Sequence, residues 1–132
     1  MARPEQVPVT GIHPARGYAH AWRVGDMMFI SGQVAQNQQG EVVGKGDIRE
    51  QTHQVFRNLR TVLGASGATF RDIVKLNIYC TDAAGIPGVR EVRMHYLEGH
   101  TPSSTLVVVD GLALPDYLVE IEAVAVLPDR PA

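Results

Sequence analysis

The chain of 132 residues has one cysteine, Cys80, so no internal disulfide can staple it. A lone thiol also argues for a reducing compartment. Neither charge is in excess: 12 Lys and Arg stand against 14 Asp and Glu, a formal net charge of −2. No basic surplus marks the chain as a binder of nucleic acid or of anionic membrane. No apolar run approaches the ~20 residues of a membrane span. The first ten residues hold Arg3, Pro4 and Glu5 but no apolar h-region, so no signal peptide is expected. The expected setting is cytoplasmic. The histidines His13, His20, His53, His95 and His100 contain no HxH or HxxxH pair, and no metal site is expected. Repeats and domain-dividing linkers are also missing, which leaves one domain over residues 1–132.

What is present is ordinary globular material. Hydrophobic residues make up 45% and charged residues 20%, and the length suffices for a real core. The organising stretch is Met27-Met28-Phe29-Ile30-Ser31-Gly32-Gln33-Val34. Its apolar half reads as a short strand buried on both faces. Gly32 lets the backbone bend, or lets a ligand approach closely.

Around that stretch the chain reads in order. Residues 1–16 form an irregular, proline-bearing arm. Residues 18–24 and 27–34 form a hairpin about Gly25-Asp26. Residues 36–46 read as a loop, with room for a short edge strand at 41–43. Asp47 caps a helix, and Glu50 fits a capping box. Ile48, Thr52, Val55, Leu59 and Val62 give that helix an apolar stripe, and Gly64 or Gly67 ends it. Residues 73–80 are a strand with Val74, Leu76, Ile78 and Cys80 on one face. Pro87 opens a second helix, striped by Val89, Val92, Tyr96 and Leu97 and stopped by Gly99. Strands at 104–109, apolar on both faces, and 117–127 close a β-β-α-β-α-β-β order.

Two helices cannot cover both faces of such a sheet. The expectation is an α+β fold with the helices on one face of a mixed sheet, and the other face covered by oligomerisation.

Glu120 and Glu122 lie two apart on a strand and share a face. Cys80 reads as a core residue rather than a reactive one. No histidine is placed by sequence to activate Ser31 as a nucleophile.

Tyr18, Ser31-Gly32-Gln33, Asp72-Ile73-Val74-Lys75 and Glu120-Ile121-Glu122-Ala123, in that order and over nearly the whole length, resemble the RidA (YjgF) family. The resemblance implies the chorismate-mutase-like fold of that family, assembled as a homotrimer with a central barrel and ligand clefts between subunits. It implies hydrolysis of reactive enamines and imines with no cofactor. Glu120 would hold or activate the water, and Tyr18, Ser31, Gly32 and Leu106 would position the substrate. Typical deaminases of the family carry a carboxylate-binding arginine two residues after the proline that precedes the fourth main strand. Here Pro102-Ser103-Ser104 puts a serine there, Leu106 stands at a position often occupied by cysteine, and Arg90 stands where the family has a helix asparagine.

Ser104 in that place points away from the usual small 2-imino acids and toward a substrate without a free α-carboxylate. Arg90 is either a replacement clamp or a solvated helix charge. The rival expectation is a trimer that binds a small molecule in the same cleft without turnover. RNA cleavage, a third activity that the resemblance raises, does not suit the acidic balance.

Overall fold

A computed structural model describes residues 2–128. Residue 1 of the expected arm and the last four residues of the expected domain lie outside the described residues. Strand β2 (Ala21–Val24) and strand β3 (Met27–Gln33) form the expected hairpin, paired Val24 to Met27. The two-residue turn needs a backbone twisted the opposite way from ordinary turns, and Gly25 supplies it with a φ of +58°. Helix α1 (Ile48–Gly64) starts at Asp47, whose carboxylate accepts from the N–H groups of Arg49 and Glu50 at 3.1 and 3.2 Å. The return bond of a capping box is not made, because the Asp47 N–H already donates to the Gly44 carbonyl. Gly64 is the last helical residue and Gly67, at φ +72°, turns the chain away.

Strand β4 (Ile73–Cys80), helix α2 (Ile86–Leu97), strand β5 (Ser103–Val108) and strand β6 (Val119–Val126) complete the expected order. One element was not legible: Glu5–Gln6, in the arm expected to be irregular, pairs with Arg23 and Trp22 as strand β1. Two residues are too short for any periodicity to register. The expected edge strand at 41–43 reduces to one bridge between Gln36 and Val42.

The six strands lie in the order β1-β2-β3-β6-β4-β5, antiparallel except for the β4–β5 pair. Helix α2 makes the crossover that a parallel pair requires. Both helices lie on one face. There α1 buries Val55, Phe56, Leu59, Val62 and Leu63 against Met28, Ile30, Leu76, Ile78 and Ile121. Full burial of side chains of this size contributes about 1.5–3 kcal/mol each. Gln51, fully buried in α1, donates to the carbonyls of Gly44 and Asp116 and accepts from the Leu118 N–H. That side chain ties the helix to the segment that delivers β6.

Two expectations about facing need correction. The register of β4 against β6 shifts between Ile73 and Lys75, so Ile73 turns inward and Val74 is 44% exposed instead of sharing the face of Leu76. Strand β3 is buried on one face only: Met28 and Ile30 point to the helices, while Met27 and Phe29 stand exposed. With Trp22, Val107 and Val126 they leave the helix-free face of the sheet apolar and open.

Candidate active site

The centre of the site is a local failure of pairing. Strand β3 runs in register with β6 from Met27–Val126 to Ile30–Ala123, then slips before Gln33 meets Ile121. The slip falls on Ser31 and Gly32. It opens room on the free face of the sheet for the side chain of the next outward residue of β6, Glu120. A Cβ at position 32 would overlap the Glu120 carboxylate. Gly32 is therefore required by close approach, and the approaching group is a side chain of the same domain.

Glu120 is half-buried there. Loss of solvation is the larger cause that pushes its carboxyl above the usual range, and the charge of Glu122 adds to it. Glu122 shares the face, as alternation requires. Its Oε1 accepts from the Tyr79 hydroxyl at 2.7 Å and from the Asn77 amide at 3.1 Å. The bond to Glu122 in turn raises the Tyr79 phenol. Tyr79 and Asn77 were not among the sequence candidates. Their signal was available, since both alternate with Ile78 and so must share the face of the two carboxylates.

Tyr18 lies beside Glu120. Partial burial, and then the Glu120 charge, push its phenol upward. Its ring meets the edge of His20 at 5.8 Å. The segment that presents Tyr18 is pinned from behind. The Ser31 hydroxyl donates to the Ala19 carbonyl at 2.6 Å, and the Ser31 N–H donates to the His20 carbonyl at 2.9 Å. The His20 ring donates from Nε2 to the His13 carbonyl and accepts the Gln33 amide on Nδ1. Ser31 thus commits its proton to positioning the arm and keeps only its oxygen lone pairs open.

Ser104 and Leu106 stand elsewhere. In the parallel register they pair with Leu76 and Ile78, which puts them on the helix-bearing face, two strands away from β6. Glu120 is on the opposite face. One chain therefore does not bring the two groups of candidates together. Arg90 is an exposed residue of α2, with no hydrogen bond among the described residues. One turn further along, Arg93 donates to the Ser104 hydroxyl at 3.4 Å. Arg93 was not among the sequence candidates, because the side of α2 that faces β5 depends on how the helix rolls on the sheet. Cys80 is buried, and burial raises its thiol. Among the described residues no three His, Cys, Asp or Glu side chains gather as metal ligands.

Residues 9–127 match the family model described as Endoribonuclease L-PSP. Over 113 residues the chain is 36% identical to a RutC family protein of Pyrococcus horikoshii, covering 85% of this chain and 88% of that one. It is 32% identical over 114 residues to the 2-iminobutanoate/2-iminopropanoate deaminase of Dermatophagoides farinae, covering 86% and 88%. The crystal structure of the yeast protein YEO7 superposes with a TM-score of 0.90 at 29% identity, over 96% of this chain and all of that one.

Proposed function

The chain belongs to the Endoribonuclease L-PSP (RidA) family, and from that premise we propose that it is a hydrolytic deaminase of a reactive enamine or imine. The observation that carries the reading is Glu120: a half-buried carboxylate of raised pKa, held over a glycine and beside a phenol. A carboxylate raised in this way is a stronger base than an ordinary one, and it can take a proton from water and return it later.

An enamine first becomes the imine by gaining a proton at carbon and losing one from nitrogen. Water oxygen then bonds to the C=N carbon as the π pair moves to nitrogen, and Glu120 accepts the water proton. That proton passes to nitrogen and gives a neutral carbinolamine. Glu120 then takes the hydroxyl proton and delivers it to nitrogen, the C–N bond breaks, and ammonia leaves as the C=O bond forms. The sum is imine plus water giving ketone or aldehyde plus ammonia, with no oxidant or cofactor. Tyr18, the Ser31 oxygen and the backbone at Gly32 orient the substrate. Ser104 offers a hydroxyl in place of a guanidinium, so the substrate is not one of the small 2-imino acids.

The working form in this reading is a homotrimer. Two observations support it: the open apolar face, and the separation of the Glu120 group from the Ser104 and Leu106 group onto opposite faces. A second copy supplies the missing half of the cleft. A cytoplasmic setting goes with this reading, in keeping with the single free thiol.

The test is ammonia release from imines generated in the assay. Substrates with and without an α-carboxylate are compared, in parallel with light scattering of the dilute protein. Release from the latter class, by a trimer, is expected. Loss of the parent activity in Glu120→Gln with the trimer intact assigns the base. A trimer that binds such compounds and releases no ammonia would make the protein a binding module.

A further inference from the structure

Helix α2 and the segment that leads into β5 enclose a cavity of about 260 Å³ on the helix-bearing face, away from Glu120. Its walls are Met94, Leu97 and Pro102, and its polar groups are Arg93, Thr101 and Ser104, with His100 at its edge. Three observations bear on what it holds. Arg93 is half-buried, and among the described residues its one hydrogen bond is the long one to the neutral Ser104 hydroxyl. The ion pairs among the described residues are Lys45–Asp116 and Arg49–Glu91, and Arg93 takes part in neither. Met94, next to it, is 70% exposed, the highest among the large apolar side chains left in solvent. The His100 ring is anchored through its Nε2, which donates to the Ile73 carbonyl.

We propose that this cavity binds the acidic end of a monocarboxylate with an apolar body. The carboxylate seats on the Arg93 guanidinium and the Ser104 and Thr101 hydroxyls, and the hydrocarbon covers Met94 and Leu97. A guanidinium matches two carboxylate oxygens at once, and partial desolvation strengthens the bonds. The proposal deepens the deaminase reading and rests on it for its catalytic meaning. The apolar lining of Met94, Leu97 and Pro102 beside the cation suits an acid with a longer hydrocarbon body than the small 2-imino acids have. The substrate is then a longer, amphiphilic imino compound.

Binding is measurable without turnover. Calorimetric titration of the full chain with hexanoate, against its neutral isostere hexanamide, tests the site. Hexanoate should bind at least tenfold more tightly than hexanamide. Arg93→Met keeps an apolar stem and should lose at least tenfold for hexanoate only, with Arg93→Lys falling between. Arg57→Met, which removes an equal charge from α1, should stay within twofold. Circular dichroism of each variant should match the parent. Equal affinity for acid and amide, unchanged binding by Arg93→Met, or no binding of hexanoate at millimolar concentration would overturn the proposal. The two readings separate cleanly. Arg93-dependent binding without ammonia release from any imine removes the deaminase reading alone. Ammonia release with hexanoate binding indifferent to Arg93 removes this inference alone.

Discussion

The corner where β3 meets β6 and the edge where β5 meets α2 are built on opposite plans. At the corner most polar side chains already hold another, with the Gln33 Oε1 and the His13 Nδ1 left buried without a partner among the described residues. Glu122 holds Tyr79 and Asn77, Ser31 and Gln33 hold the arm that carries Tyr18, and Glu120 is wedged over Gly32. At the edge the strand is exposed, a methionine stands in solvent, and a guanidinium has only a hydroxyl for company. The lesson is that preorganisation and recognition are divided. The first region is arranged before anything binds, as chemistry at a developing charge requires. The second is left open in the single chain, and it is there that the proposed ligand would bind.

The sharpest way to break this contrast is Glu120→Gln, which keeps the shape and removes the base. Turnover of a deaminated substrate should fall by about 10²–10⁴-fold, in line with the contribution of a positioned base, while hexanoate binding by the other region stays at the parent value. Equal losses in both would mean that the regions are one unit.

Next in size is Gly32→Ala. The added methyl cannot share space with the Glu120 carboxylate, and displacing a reacting group by about 1 Å costs on the order of 10²-fold in rate. Steady-state kinetics should show the loss in kcat, with thermal unfolding little changed.

The frame beneath the corner is probed by Gln51→Leu. This leaves the Gly44 and Asp116 carbonyls and the Leu118 N–H without their partner, and stability should fall by about 2–4 kcal/mol. A shift in the urea midpoint at constant slope is the measurement.

The mildest change is Glu122→Gln. Its charge is the second cause of the raised Glu120 carboxyl, after burial. Removing it should move the acidic limb of the pH–rate profile to lower pH without returning it to the ordinary carboxylate range. Stability follows the same group. Raised in the fold, the Glu120 carboxyl favours folding in its protonated form. That contribution is whole below the ordinary carboxylate pKa and fades as pH rises through the raised value. Comparing Glu120→Gln with the parent from acid to neutral pH should therefore show the variant gaining relative stability.

Much of this was legible from the residues, and for definite reasons. Asp47, Pro87 and Gly99 mark helix ends through local chemistry, and the stripe from Thr52 to Val62 shows in the spacing alone. Glu120 and Glu122 had to share a face because a strand alternates. What escaped was whatever depends on the third dimension. The slip at Ile73–Lys75 inverts Val74, and nothing local to that stretch announces it. Arg93 escaped notice because, like Arg90, it lies outside the apolar stripe of α2. Only packing against β5 brings it to Ser104. Gly32 read as a place where the backbone bends or a ligand comes close. That the visitor is Glu120 requires the β3–β6 register.

The wedge of Glu120 over Gly32 also orders the sequence changes open to this protein. A larger residue at 32 pushes a long acidic side chain at 120 out of its seat. A shorter one at 120, introduced first, vacates the space and makes position 32 permissive. The two sites form a ratchet: loss of the acid can be followed by a bulkier neighbour, and once that neighbour is in place the acid cannot return to the same seat. A lineage that crosses in that order leaves the chemistry behind while keeping the fold.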